Sequence, residues 1–235
     1  MPLFHPNPHH HFDKGKLMWA NRVKIRGPER VKPYNNIPPW LRTFFPHINI
    51  SSKSSMTNCE LKTITEMEVN HLYPSQRWIR VYTDGSAKDV TKDGGGGIYI
   101  ELPSGEKIEQ ATPTGSYSSN YRAEADAILE ACTILSNHNQ IKDHRVVFLT
   151  DARSVLQALD NPRDTQFTDL INKLNQIGNL ARQAALQWIP GHCGINGNDI
   201  ADKLARNASD MLQVNHGLSH QETRAIVKSS IHQTW

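Results

Sequence analysis

The order of strand and helix patterns between residues 78 and 212 constrains the fold more than any other feature of this sequence. The predicted strands cover residues 78–83, 94–101, 107–112, 145–150 and 184–189. One amphipathic helix follows the third strand, two follow the fourth and one follows the fifth. The first three strands are close enough for antiparallel hairpins, whereas helical crossovers imply parallel pairing for the last two. We therefore expect an α/β domain with three layers, in which a mixed five-stranded sheet carries helices on both faces.

The charge of the chain divides it into three segments. Residues 1–74 carry ten Lys/Arg against five Asp/Glu, residues 75–213 carry fourteen against seventeen, and residues 214–235 carry two against one. Prolines punctuate the first segment, which has no sustained helix or strand period, so we expect a basic leader that is extended or loosely ordered. The second segment should form the folded body and the third a helical tail. If the slightly acidic body handles a polyanion, the leader is the candidate for supplying affinity.

Several classes of protein are excluded by what the sequence lacks. Its apolar runs are far shorter than the ~20 residues of a membrane helix, and the N-terminus has Pro and His where a signal peptide needs an apolar stretch. Cys59, Cys132 and Cys193 are too widely spaced for a disulfide framework or a Cys-rich zinc module. Three histidines at residues 9–11 have no second ligand cluster nearby and are interpreted as a surface tract. We expect an intracellular monomer without membrane association.

Acidic residues stand at the ends of predicted elements. Asp84 ends the first strand and Asp151 ends the fourth, so parallel pairing of those strands would place the two carboxylates roughly 5 Å apart. Glu124 lies in the first turn of the helix after the third strand, and Asp202 flanks the apolar stripe of the last helix. Taken alone, each is explained by a turn, a helix cap or a solvated position. Together they would repel one another, and an all-oxygen cluster without a thiolate suits Mg²⁺ or Mn²⁺.

Four motifs occur in the order that is typical of type 1 ribonuclease H. They are Tyr-Thr-Asp-Gly-Ser at 82–86, Asn-Tyr-Arg-Ala-Glu at 120–124, Leu-Thr-Asp at 149–151, and Trp-Ile-Pro-Gly-His at 188–192 with Gly-Asn-Asp-Ile-Ala-Asp-Lys-Leu-Ala at 197–205. The match covers about residues 78–212, and the chain most resembles the ribonuclease H domains of non-LTR retrotransposon polyproteins. The resemblance implies a ribonuclease H-like fold and an endoribonuclease that hydrolyses the RNA strand of RNA/DNA hybrids. It also implies a reverse transcriptase domain of the same element as a partner.

The resemblance gives roles to particular residues. The implied ligands of two Mg²⁺ ions, for which Mn²⁺ can substitute, are Asp84, Glu124, Asp151 and Asp202. His192 would assist proton transfer or product release. The positions that resemble nucleic-acid contacts are Gly85, Ser86, Asn120 and Arg122. For Asn120 and Arg122 a local role is the alternative, as a helix N-cap and as one half of an ion pair with a neighbouring acid.

Some positions depart from the family pattern. Ala152 replaces the usual Ser, Asp199 stands where Glu is commoner, and Asp126 occupies a helix position that is usually apolar. The basic insertion with which some bacterial-type members hold the hybrid is also missing from the sequence. One alternative is therefore an inactive, domesticated module that binds hybrids or a protein. A transposase or integrase of the same superfamily is disfavoured, because the motifs and the number of carboxylates are those of ribonuclease H.

Overall fold

The computed structural model of the chain describes residues 23–26, 56–88, 92–160 and 168–213, together with residues 215, 223 and 227. The strands in this part are β1 (Val23–Arg26), β2 (Trp78–Lys88), β3 (Lys92–Glu101), β4 (Lys107–Gly115), β5 (Arg145–Thr150) and β6 (Gln183–Trp188). The helices are α1 (Asn58–Leu72), α2 (Asn120–Ser136), α3 (Arg153–Asp160), α4 (Thr168–Leu180) and α5 (Asn196–Ser209). A short 3-10 helix, Asn139–Asp143, precedes β5. None of the described helices is both long and apolar enough to cross a membrane.

The sheet is mixed, as the sequence predicts. Its order is β1-β6-β5-β2-β3-β4, with antiparallel pairing along β2-β3-β4 and parallel pairing of β2 with β5, β5 with β6 and β6 with β1. All five predicted strands are present. The sixth strand, β1, comes from the leader and adds to the open edge of β6, with Val23 opposite Ala184. Its four residues are too few for a period-two pattern to stand out in a segment punctuated by prolines.

The leader also contributes helix α1, so the expectation of an extended or loosely ordered segment is wrong for residues 58–72. The helix begins with a capping box. The backbone N–H of Glu60 donates to Thr57 Oγ1 at 3.3 Å, and the N–H of Thr57 donates to Glu60 Oε2 at 2.7 Å. This Thr-x-x-Glu signature was readable in the sequence. The predicted histidine tract at 9–11 lies outside the described residues, as does most of the predicted helical tail at 214–235.

Apolar side chains fill both faces of the sheet. One cluster lies between the sheet and helices α2, α3 and α4, with Ile128, Phe148 and Leu174 fully buried. The second lies on the opposite face, under α1 and α5, and includes Tyr73 and Ala201. The three-layer arrangement of the sequence prediction is therefore confirmed, and α1 covers part of a face that would otherwise contact water.

Helices α2 and α5 approach opposite faces of β3 closely, because four consecutive glycines, residues 94–97, leave no side chains between them. A methyl group on Gly97 would overlap the carbonyl oxygen of Ala201 in α5. On the other face, a methyl group on Gly96 would lie 3.2 Å from the Cβ atom of Ala127 in α2. The glycines therefore set the distance of both helices from the sheet, and with it the positions of the acidic residues that the helices carry.

Replacing Gly97 with Ala is expected to lower the free energy of unfolding by about 3 kcal/mol, because a helix backbone cannot move aside without disturbing its whole packing face. Gly96→Ala is the matched control in the same strand. We expect it to lose about 1 kcal/mol or less, since the new methyl group would lie 3.2 Å from the Cβ and 3.3 Å from the Cα of Ala127, and a shift of a few tenths of an ångström relieves contacts of that length. Urea unfolding of both variants measures the difference, and equal midpoints would contradict this account of the strand.

Candidate active site

Parallel pairing of β2 with β5 places Asp84 beside Asp151. Thr83 pairs with Thr150, so each aspartate is the next residue along its strand direction. Strand β5 ends there, while β2 continues to Lys88 along β3 with Asp84 opposite Gly97, so Asp84 lies within its strand rather than at its end. The indole N–H of Trp188 donates to the carbonyl oxygen of Asp151 at 3.2 Å and helps to fix that backbone. Trp188 is buried and belongs to the core cluster under α2, α3 and α4.

The N-terminus of α2 brings Glu124 to the same place. The helix begins after Ser119, whose hydroxyl accepts from the N–H of Arg122 at 3.2 Å, so the prediction that Asn120 is the N-cap is wrong by one residue. Gly85 allows the helix to come this close, because a methyl group there would overlap the backbone nitrogen of Glu124. The structure therefore gives Gly85 a packing role, which the sequence analysis missed and which only the three-dimensional approach of α2 to β2 reveals.

Asp84, Glu124 and Asp151 form a carboxylate trio. One oxygen atom from each lies within 4.8 Å of those of the other two. Asp84 is 5% exposed; its Oδ1 accepts from the N–H of Gly85 at 2.7 Å. Its Oδ2 and the Oε2 of Glu124 are buried and have no hydrogen-bond partner in the described part of the chain. Buried acceptors without a donor are costly, so this arrangement calls for a ligand that supplies positive charge.

Burial and mutual repulsion raise the pKa values of all three carboxyl groups. Burial raises the pKa of Asp84 to about 7, and the charges of Asp151 and Asp202 add to the effect. The pKa of Glu124 is raised well above its ordinary value by burial and by Asp84 and Asp151. Burial also raises the pKa of Asp151, although the nearby His192 opposes the shift. Three ionised carboxylates are therefore unfavourable here without a cation, and their hard oxygen atoms fit a divalent ion such as Mg²⁺ or Mn²⁺.

Asp202, the fourth predicted ligand, is close to the trio but outside it. Its charge raises the pKa values of both Asp84 and Asp151, which places it in their neighbourhood. Its carboxylate is bound by Arg206, whose Nε donates to Oδ1 at 3.0 Å and whose Nη2 lies 2.8 Å from Oδ2. The structure thus brings three of the four predicted ligands together and pairs the fourth with an arginine one helical turn further along α5.

His192 stands exposed in the loop between β6 and α5, at a φ of 54°. Its charge acts on Asp151, so the loop holds the imidazole near the trio, where the sequence analysis predicted it. The preceding Gly191 is needed for this approach, because a methyl group there would overlap Asp151 Oδ2. The Pro-Gly-His signature is readable in the sequence, but the contact between Gly191 and Asp151 is not.

The left-handed backbone of His192 separates its structural role from its chemical one. We expect His192→Gly to raise the free energy of unfolding by about 1 kcal/mol, because glycine adopts this φ without strain, whereas His192→Ala keeps the strain. Both variants lose the imidazole, so both should cleave about tenfold more slowly or worse. Urea unfolding and single-turnover kinetics measure the two effects. A full rate in either variant would contradict a role for this histidine in proton transfer.

The predicted nucleic-acid contacts surround the trio on β2 and α2. Asn120 Oδ1 accepts from the N–H of Ala87 at 2.7 Å, so it ties the start of α2 to β2. Arg122 lies 3.5 Å from the carboxylate of Asp126, which confirms the local alternative for this arginine. Ser86 is half-buried in β2. Contact of these residues and of Gly85 with nucleic acid stays a prediction.

Comparisons with known proteins point to one family. The model of the RNase H family matches residues 76–210, more than half of the 235 residues. The chain is 27% identical over 137 residues to the Ribonuclease H of Orientia tsutsugamushi (strain Boryong). This match covers 55% of the chain and 80% of the relative. It is 24% identical over 148 residues to the Ribonuclease H of Ruthia magnifica subsp. Calyptogena magnifica, with 57% and 97% covered.

Among solved structures, RNase H1 from the halophilic archaeon Halobacterium salinarum NRC-1 superposes with a TM-score of 0.44 at 21% identity, over 57% of this chain and 98% of that one. The family match over residues 76–210 and the cluster of Asp84, Glu124 and Asp151 are those of a nuclease that acts on RNA/DNA hybrids. The chain belongs to the RNase H family. It is an enzyme of the ribonuclease H class, an endoribonuclease that acts on the RNA strand of RNA/DNA hybrids.

Proposed function

We propose that this chain cleaves hybrid RNA by a two-metal mechanism, with two Mg²⁺ ions that Mn²⁺ can replace. The observation that carries the proposal is the carboxylate trio of Asp84, Glu124 and Asp151, in which two buried oxygen atoms, Asp84 Oδ2 and Glu124 Oε2, have no hydrogen-bond partner in the described part of the chain. Asp202 would complete the ligand set from α5. Bound in this way, two divalent ions supply an activated water and stabilise the leaving 3′-oxygen, so that the products carry 5′-phosphate and 3′-hydroxyl ends.

The remaining steps belong to the residues of the chain itself. The paired strands β2 and β5 and the N-terminus of α2 hold the three carboxylates of the trio in place before the substrate binds. Little reorganisation of these groups is therefore needed during the reaction. His192 is exposed and close to Asp151, where it can take or deliver a proton at the rim of the site. Ser86 is two residues beyond Asp84 on β2, and Asn120 is one helical turn before Glu124 on α2. Hydroxyl and amide groups of this kind recognise the 2′-hydroxyls that distinguish RNA from DNA.

The folded body should bind the hybrid weakly by itself, because residues 75–213 carry fourteen Lys/Arg against seventeen Asp/Glu and nucleic acid is a polyanion. We propose that metal ions and the basic residues of the leader, ten Lys/Arg against five Asp/Glu over 1–74, offset this deficit. In a variant lacking residues 1–55, the affinity for the hybrid should depend less steeply on salt concentration, because fewer basic residues contact phosphates. An unchanged slope would rule out a contribution from that part of the leader.

The setting of the activity is a separate proposal. The texture of the four motifs favours an origin in a non-LTR retrotransposon, with a reverse transcriptase domain as a partner and an intracellular monomer as the working form. Sequencing the surrounding gene tests the first point, because a reverse transcriptase reading frame should adjoin this one. Light scattering of the purified chain tests whether it is a monomer, for which we expect a mass near 26.6 kDa. A dimer mass would overturn the monomer.

The proposed mechanism is tested with a panel of labelled substrates. The full chain is incubated with an RNA/DNA hybrid, duplex DNA and duplex RNA, each with Mg²⁺, Mn²⁺ or EDTA. We expect cleavage of the hybrid RNA alone, with either metal, and 5′-phosphate ends on the products. Binding of the hybrid without cleavage would instead favour the inactive module of the sequence analysis, and cleavage in EDTA would contradict the metal mechanism.

A further inference from the structure

Arg206 holds both oxygen atoms of the Asp202 carboxylate. The two contacts, 3.0 Å from Nε to Oδ1 and 2.8 Å from Nη2 to Oδ2, form a two-pronged pair between positions four apart on α5. The side chain of Asp202 is 22% exposed and that of Arg206 is 64% exposed. Each oxygen atom of Asp202 therefore has one contact with a guanidinium that can swing away into solvent, and this protein cation offsets the negative charge of the carboxylate.

The other three carboxylates, those of the trio, differ from Asp202 in having no cationic partner of this kind in the part of the chain that the structure describes. No Lys, Arg or His within the described ranges forms an ion pair with Asp84, Glu124 or Asp151, and two of their oxygen atoms are buried without a donor. An ion entering the trio displaces no protein cation. An ion that binds Asp202 competes with Arg206 for the negative charge of this carboxylate.

We propose that Arg206 is a displaceable counter-ion for Asp202, so that the site takes up divalent ions in two steps. The first ion binds at Asp84, Glu124 and Asp151, and the second binds only when Asp202 exchanges Arg206 for the metal. This inference rests on the proposed two-metal function and assigns a positioning role to a residue outside the ligand set. Through it, the enzyme keeps its fourth ligand neutralised until enough metal is present.

The ion pair between Arg206 and Asp202 should contribute only a small free energy. Exposed pairs at this helical spacing are weak, although two-pronged arginine contacts lie at the strong end of the range. Removing the arginine should therefore tighten the weaker metal site by about two- to fivefold, not by orders of magnitude. Such a change lies within reach of calorimetry, and it needs no substrate.

The experiment is a calorimetric titration of Mn²⁺ into the full chain, without nucleic acid. The variants are Arg206→Gln, which removes both the fork and the charge, and Arg206→Lys, which keeps the charge. Lys203→Gln is the control, because it removes a neighbouring exposed cation of α5 without touching the pair. We expect Arg206→Gln to tighten the weaker site two- to fivefold and to leave the tighter site unchanged, with Arg206→Lys in between. Lys203→Gln should change neither by more than about 1.5-fold.

Two results would overturn the inference. One is that Arg206→Gln leaves the weaker site as it is in the unaltered chain, or that a single class of site is found in every variant. The other is that Lys203→Gln tightens binding as much as Arg206→Gln does, which would assign the effect to general charge. Neither of these two results decides the two-metal proposal, which has its own test. A wild-type chain that binds no Mn²⁺ would overturn both the two-metal proposal and the role of Arg206. Thermal melts of each variant verify that the exposed substitutions leave the fold intact.

Discussion

Replacing Asp84 with Asn is expected to abolish cleavage of hybrid RNA, by about 10³-fold or more, and at the same time to stabilise the metal-free protein at pH 8. The first effect follows from the loss of the central carboxylate of the trio, since metal stabilisation of the transition state amounts to several kcal/mol and each 1.36 kcal/mol is tenfold in rate. The second follows from burial. Asp84 is 5% exposed and its Oδ2 has no donor within the described ranges, so its charge destabilises the fold.

The pH dependence fixes the sign of the stability effect. Folding raises the pKa of Asp84 from 3.8 to about 7, so the folded protein binds this proton more tightly than the unfolded chain does. The metal-free wild type should therefore lose stability as the pH rises from about 4 to about 7, and stay at the lower level above that. Asn carries no charge at any pH, so the variant escapes this loss. At 1.36 kcal/mol per pKa unit, we expect a gain of about 2–4 kcal/mol at pH 8.

Urea unfolding in EDTA at pH 5 and pH 8 measures this gain. The matched control is Asp143→Asn, an exposed acid at the far end of β5, which should leave both cleavage and stability unchanged. Adding Mg²⁺ should reverse the ranking at pH 8, because an ion bound only to the folded state stabilises the wild type by mass action. If Asp84→Asn instead destabilises the metal-free protein at pH 8, the buried trio is not the strained site described above.

Removing helix α1 is the second change with a large expected effect. A chain that starts at residue 76, where the family match begins, lacks Val69 and Tyr73, both buried in the core cluster under α1. Tyr73 also packs edge-on against Trp78 at 4.8 Å and donates its hydroxyl hydrogen to Gln187 Oε1 at 3.1 Å. Burying such an aromatic residue contributes about 2–3 kcal/mol. Its loss would open one face of the sheet to water.

The buried Arg80 makes this truncation worse. It is 7% exposed, and its Nε and Nη2 donate to the carbonyl oxygen of Tyr73 and to Asn70 Oδ1, each at 2.8 Å. Both acceptors leave with α1, so a guanidinium remains without them at the edge of the core. Hydrogen bonds to charged groups contribute about 1.5–3 kcal/mol. Together with the lost apolar packing, the loss approaches the 5–15 kcal/mol that holds a typical domain folded.

Residues 76–235 are therefore expected to lose cooperative unfolding, whereas residues 56–235, which keep α1, should retain it. Near-ultraviolet circular dichroism and urea titration of the two fragments test this prediction. A common unfolding midpoint would show that α1 is dispensable. The same reasoning explains why the leader is tested with a cut after residue 55, since removing residues 1–74 would take α1 away along with the basic residues. A cut after residue 55 removes nine of the leader's ten Lys/Arg and leaves α1 in place. It also removes the four-residue edge strand β1, which both fragments lack, so their comparison isolates α1.

The sequence predicts the trio well because strand order and motif order fix it. Parallel pairing of β2 and β5 is implied by the helical crossover between them, and parallel strands bring Asp84 and Asp151 to one edge. Glu124 follows from its motif at the start of α2. The pairing of Asp202 with Arg206 is compatible with their spacing, but the sequence cannot tell which of two partners, a guanidinium or a metal ion, the carboxylate takes in the absence of ions.

Other features depend on contacts between distant parts of the chain. Helix α1 carries a readable capping box, yet its place depends on a sheet face assembled from β2, β3, β5 and β6. Likewise, Gly85 and Gly191 resemble turn residues in the sequence. Only the folded chain reveals that Glu124 and Asp151 occupy the space where their side chains would be.

The central claim is that carboxylates at the edge of β2 and β5 carry out metal-dependent cleavage of hybrid RNA. The most direct test is the single-turnover rate of RNA-strand cleavage in Mg²⁺ for the wild type, Asp151→Asn and Asp143→Asn. Asp151 directly follows β5, whereas Asp143 ends the 3-10 helix that precedes this strand. We expect the wild type and Asp143→Asn to cleave at the same rate and Asp151→Asn to be slower by about 10³-fold or more. Cleavage by Asp151→Asn at the wild-type rate would contradict the assignment of the active site.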